Sequence, residues 1–222
     1  MEWMGVTSAA WLTFFHVILF VFWLGADLGV YYSAKYVARG DLEKPERLRF
    51  LELLLRIDMY PRSTLILMLP VGFSLAQVSG WAEFPVSILA AIWAVGIAWF
   101  ALMWSVHKKP QALGLKKLDV AVRWAVMAGL LALSVLSLAT GAWTSQAWLS
   151  IKLILFAGVM GLGLLLRGSV ALWIQGFGKL ESDQDAGNAL IRKGHKEATR
   201  FAHTLWLLLC IMAFLGVAKP IM

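Results

Sequence analysis

The stretch from Thr7 to Tyr32, TSAAWLTFFHVILFVFWLGADLGVYY, decides the fold. At ~1.5 Å rise per residue a helix of this length covers the ~30 Å hydrocarbon layer of a bilayer. One imidazole, His16, lies about a dozen ångströms in from the first end, a depth at which it needs a partner, a cavity or a metal. The residues alone leave two readings open, a hydrogen bond to a neighbouring helix or a ligand role.

The rest of the chain has the same character. Of 222 residues, 60% are hydrophobic and 15% charged, with 12 Trp and 12 Phe, which excludes a soluble domain and predicts an all-α, polytopic bundle. Spans are expected over about 8–34, 63–80, 86–106, 122–143, 148–173 and 201–218, six in all, forming one membrane domain over 1–222. The N-terminal MEWMGVTS carries Glu2 and no basic residue, and the apolar run after it exceeds a signal-peptide core. It is therefore expected to remain as a helix. The single cysteine, Cys210, permits no disulfide framework within one chain.

Between the spans, ERLRFLELLLRIDMY has apolar residues at helical spacing and is expected to be a helix leading into the second span. Pro70 predicts a kink there. The uncharged turn Thr144 to Ala147 makes spans four and five a tight hairpin. The stretch from Gln175 to Thr199 is the most soluble and is expected as a loop, with Asp183 to Asn188 its mobile tip. Of the 20 Lys and Arg residues, 18 fall on the face reached after spans one, three and five. The positive-inside rule makes that face cytoplasmic and sends both termini outside, as for a protein of a bacterial inner membrane. The same pattern accounts for the net charge of +7 without nucleic acid.

Lys152, some five residues into span five, lies at the depth of His16, so the two suggest one shared site. The lysine can pair with a carboxylate, lose its proton, or snorkel to the interface. Asp27, Arg62, Arg200 and His203 form a second polar layer, in which Asp27 is expected to pair with Arg62 or Arg200. His107 and His195 read as solvated loop residues. Met68, Met103, Met127, Met160 and Met212 come about one per span and read as packing, not a copper(I) relay. No H-E-x-x-H, phosphate loop or serine triad occurs.

With these residues in view, the chain resembles the HemJ-type protoporphyrinogen oxidases and their relatives in the CopD-like membrane superfamily. His16 and Trp23 match the histidine-to-tryptophan spacing in the first helix. LLLRIDMYPRSTLILMLPVGFSLA, residues 53–76, is similar to the second-helix region, Trp148 to Lys152 to the W-x-x-x-K signature, and Arg200 with the terminal Lys219-Pro220 to the family's ending. Where that ending has Asn, Glu and Pro, this chain has His203, Thr204 and Trp206. The resemblance implies a b-type haem, with His16 its metal ligand and His16, Trp23 and Lys152 its cofactor contacts. It implies catalytic roles for Lys152 and Arg200.

Three functions follow from different classes. The first is a haem-b membrane oxidoreductase that oxidises a porphyrinogen and passes electrons to a quinone or another redox partner, as a lipid-embedded monomer or homo-oligomer. The second is a CopD-like copper transport protein, with copper the cofactor. The third is a non-catalytic membrane subunit or assembly factor whose polar layers pair its helices.

Overall fold

In hydrocarbon no water is available to bond a free N–H or C=O, so each apolar run must close its hydrogen bonds internally as a helix. The computed structural model of the chain describes residues 2–3 and 6–220, with side chains from Val6 onward, and is all-α apart from one small hairpin. Two-residue strands β1 (Glu2–Trp3) and β2 (Val6–Thr7) pair antiparallel, Glu2 opposite Thr7, ahead of α1. The helices are α1 (Ser8–Ala38), α2 (Lys44–Ile57), α3 (Met59–Val78), α4 (Val86–Lys108), α5 (Leu113–Thr140), α6 (Ala147–Lys179) and α7 (Gln184–Ala218).

Five of these, α1, α4, α5, α6 and α7, are long and apolar enough to cross a membrane, which gives the chain the architecture of a membrane protein. Only 6% of the most apolar window of α1 is buried inside the protein, so its Phe14, Phe15, Val21 and Phe22 present an apolar outer surface suited to lipid. The segment expected as the second of six spans is α3, a 20-residue helix that is not among the five. Its apolar run is interrupted by Arg62, Ser63, Thr64, Ser74 and Gln77, and its surface is instead covered by protein: Thr64, Ile66, Val71, Phe73, Ser74 and Ala76 are all buried.

The chain divides into two compact units: residues 1–23, 62–157 and 212–222 form the first, and residues 24–61 and 158–211 the second. In the first, Trp93 Nε1 donates to Ser74 Oγ at 2.9 Å, joining α4 to α3, and Gly96 lies so close to Pro70 that an added Cβ would sit 3.2 Å from its ring. A buried ion pair within α5 is joined to α4 through Trp99. Asp119 accepts from Arg123 Nε at 3.1 Å and from Trp99 Nε1 at 3.0 Å, and the guanidinium stacks over the Trp99 ring. Such a pair depends on the hydrogen bonds supplied to it, and the Trp99 indole gives Asp119 one of them.

Helix ends in this unit use left-handed glycine. Gly80 (φ 70°) follows α3, with Trp81 N donating to Ala76 O, and Gly141 (φ 67°) caps α5. The expected tight turn between spans four and five is tied to the α3–α4 turn, because Thr144 Oγ1 donates to Trp81 O and Glu83 N donates to Trp143 O.

The second unit corrects the expected loop. Residues 175–199 are almost wholly helical: α6 runs on to Lys179, α7 begins at Gln184, and Asp183 caps it by accepting from Ala186 N at 2.9 Å. Glycines make this helix pair possible. A Cβ on Gly176 would stand 2.6 Å from Ile191 Cγ1 and 2.8 Å from Gly187 O, so the backbones touch as small residues allow. Trp173 Nε1 donates to Ile191 O at 3.2 Å, and Trp173, Phe177 and Ile191 form a core with Val37, Leu51 and Leu54.

The helix expected before the second span is α2, whose buried Arg47 reaches into that core. Its Nε donates to Val37 O at 3.0 Å, its Nη1 to Asn188 Oδ1 at 2.9 Å, and it stacks over Phe177. At the surface, the Lys44 ammonium bonds Glu181 and holds that carboxyl below its usual range. Arg39 does the same for Asp41. These exposed pairs orient the ends of the unit more than they stabilise it.

Candidate functional site

The site is built in the first unit from one stripe on each of two helices. On α1, His16 and Trp23 are seven residues apart, two turns, and share a face. On α6, Lys152 and Phe156 are four apart and share another. The stripes meet: Trp23, 2% exposed, packs edge-on against Phe156 with ring centroids 5.9 Å apart, and the Lys152 ammonium is near enough to His16 for its charge to act on the imidazole.

Two glycines leave the room that these side chains occupy. At Gly72 of α3 an added Cβ would stand 3.2 Å from His16 Cε1, so the helix presses directly on the ring edge. At Gly216 of α7 it would stand 2.8 Å from Lys152 Nζ, so the amine is lodged against bare backbone. Four helices, α1, α3, α6 and α7, therefore define the pair. His16 Nδ1 is buried with no hydrogen-bond partner among the described residues, so this nitrogen is not tied to a neighbouring helix.

One turn before Lys152, Trp148 is buried, and its indole packs against Trp81 with centroids 5.5 Å apart. Lys219 Nζ sits 4.5 Å over the Trp81 ring. Gln146 and Trp148 hold each other through a 3.2 Å hydrogen bond at the start of α6. A tryptophan pair with a cation on its face thus lies next to the lysine in the chain.

Arg200 belongs to the second unit. It is exposed, with its guanidinium over Phe201, and forms no ion pair with Asp27. Asp27 has Asp58 and the Trp206 indole as near neighbours instead. The indole lies within reach of the carboxylate, but Trp206 Nε1 and Asp27 Oδ2 both remain without a well-formed hydrogen bond. His107 is exposed as expected, whereas His195 is half-buried with an unpartnered Nδ1. Met68, Met103, Met160 and Met212 are buried packing residues.

Sequence reasoning passed over Gly216 and Phe156. Their signal was available only in combination: a glycine in an apolar helix marks close approach, but the sequence does not say to what.

The fold defines a class, an all-α bundle with helices long and apolar enough to cross a membrane. No protein-family model, curated protein or solved structure matches the chain.

Proposed function

We propose that the protein is a haem-b oxidoreductase of a bacterial inner membrane, with both termini outside the cytoplasm, and that it oxidises a porphyrinogen-like substrate at the expense of a membrane acceptor. The observation that carries this reading is the buried, unpartnered ring nitrogen of His16 in electrostatic reach of Lys152. An imidazole free of protein hydrogen bonds is an axial ligand in waiting, and a cation beside it suits the propionates of a haem.

The donor set fits a tetrapyrrole better than a bare copper ion. Among the described residues no three His, Cys, Asp or Glu side chains converge as metal ligands, whereas a haem brings four of its own nitrogens. When bound, the haem supplies one-electron chemistry in an apolar slot. His16 would hold the iron, Trp23 and Phe156 would wall the slot, and Lys152 would hold a propionate or a proton. Gly72 and Gly216 keep both groups in place. The resemblance to HemJ-type oxidases supports the same substrate class.

The visible spectrum of detergent-purified protein, with metal analysis beside it, tests the reading. A Soret band with reduced b-type peaks and iron near one per chain is expected. Stoichiometric copper, or neither metal, would overturn it.

Lys152 gives a second test. Loss of a charge-assisted bond costs ~1.5–3 kcal/mol, so Lys152→Met is expected to lower turnover roughly ten- to a hundredfold with the protein still inserted. Lys152→Arg is expected to fail too, because arginine does not release a proton and its planar head does not fit against Gly216. Gly216→Ala, which displaces the amine and keeps it, should fall between. Rescue of growth in a cell lacking its own protoporphyrinogen oxidase is the assay, and full rescue by Lys152→Met would remove the lysine from the site.

A further inference from the structure

The second unit holds a buried cation that the haem reading does not use. Arg47 of α2 is 3% exposed, and its Nε and Nη1 are bonded to Val37 O and Asn188 Oδ1. Its Nη2 is buried with no hydrogen-bond partner among the described residues. No described carboxylate makes a salt bridge with this guanidinium. Asp41 is near enough for its charge to favour the arginine, but it is bonded to Arg39, and Glu181 is bonded to Lys44, one turn before Arg47.

What faces Arg47 instead is a second cation. Arg192 stands one turn after Asn188 on the same face of α7, and its charge acts against that of Arg47. Burial first and this neighbour second hold the Arg47 guanidinium below its ordinary range. Arg192 is itself exposed and forms no ion pair with a described residue. Because Asn188 gives its oxygen to Arg47, its amide N–H groups are left as donors without a described acceptor. Two helices thus present donors to each other: Arg47 Nη2, the Asn188 amide and the Arg192 guanidinium.

A buried charge that has given up water and gained no counterion is costly, and a like charge beside it adds to the cost. One anion relieves both. Guanidinium groups bind phosphoryl oxygens through paired, charge-assisted N–H bonds, and a tetrahedral phosphate has oxygens enough to meet donors from two helices at once. A planar carboxylate meets fewer of them. Phe177 lies against one face of the Arg47 guanidinium, so the ligand oxygen approaches in its plane, at Nη2.

We propose that Arg47, Asn188 and Arg192 form a phosphate-binding site between α2 and α7, for the headgroup of an anionic phospholipid or for a free phosphate group. Arg192, being exposed, meets the anion first and brings it to Arg47 Nη2, which is shut off from water. A charge-assisted bond is strongest in such surroundings. The site is independent of the haem reading.

Thermal unfolding of the purified full chain tests it. In one arm, protein in an uncharged detergent receives sodium phosphate or, at equal ionic strength, sodium chloride. In the other, phosphatidylcholine nanodiscs are compared with and without phosphatidylglycerol. A midpoint raised by roughly 5 °C or more at saturating ligand is expected in at least one arm. A rise with inorganic phosphate assigns the site to a free phosphate group, and a rise confined to phosphatidylglycerol assigns it to a lipid headgroup. Arg192→Glu supplies a carboxylate where the ligand would bind. It is therefore expected to unfold above the wild type without phosphate and to show no response to either ligand. Arg192→Gln is expected to weaken binding roughly tenfold or more. Neither variant removes a hydrogen bond of Arg47, so the test does not depend on a change that breaks the fold. A rise of equal size in Arg192→Glu would be a general effect of the salt or lipid and would overturn the site, as would no rise in either arm.

Discussion

His16→Ala protein is expected to reach the membrane in normal amounts and to purify with almost no haem. Loss of a partner that merely orients a ligand costs roughly 10–100-fold in affinity, and loss of the ligand itself costs more. The fold should tolerate the change, because His16 makes no hydrogen bond that would be broken and the space vacated lies beside a glycine. A softer variant separates ligation from packing. Gly72→Ala places a methyl group 3.2 Å from His16 Cε1 and should turn the ring, altering the reduced spectrum with the haem retained. Pyridine-haemochrome content and the reduced spectrum of the two variants are the measurements. Unchanged haem in His16→Ala would move the ligand elsewhere and leave the proposed function without its main support.

The largest effect on stability is expected at Gly176. Its added Cβ would meet Gly187 O at 2.8 Å and Ile191 N at 3.2 Å, and neither backbone atom can rotate away. Overpacking of this kind costs ~1–3 kcal/mol or more, against a total that is small in any protein. In Gly176→Ala the α6–α7 pair must separate, which also pulls Trp173 from Ile191 O. Gly178, two residues on, has nothing within 4 Å of its added Cβ, so Gly178→Ala should be neutral or slightly stabilising through helix propensity. Thermal unfolding in detergent is expected to show Gly176→Ala lower by roughly 5 to 10 °C and Gly178→Ala unchanged or higher. Equal midpoints would mean that the close helix contact is not maintained.

Apolar runs located the helices well because hydropathy reports directly on the solvent a segment must face. They did not locate the helix ends. The soluble 175–199 stretch looked like a loop because its charges, Lys179, Arg192 and Lys196, were read as a medium, whereas its backbone order comes from Gly176, Gly187 and Gly194 packing against the facing helix. The opposite error affected α3, whose apolar middle suggested a span of its own although much of its surface is covered by protein. Within the site, equal depth suggested one shared site for His16 and Lys152, since depth follows from position along a helix of known rise. Depth is silent about azimuth. That is why the approach of Gly216 to the amine and the turning of Arg200 toward Phe201 were not legible.

Arg47 sets an order on the making of the second unit. Its guanidinium caps the last turn of α1 through Val37 O, yet its other partner, Asn188, comes 141 residues later. At ~5–20 residues per second a ribosome needs roughly seven to thirty seconds to cover that distance. Throughout this interval α1 and α2 are complete but their buried arginine is unsatisfied on one side. A side chain of α2 thus bonds both α1 and α7, and the unit cannot be finished by residues 24–61 alone.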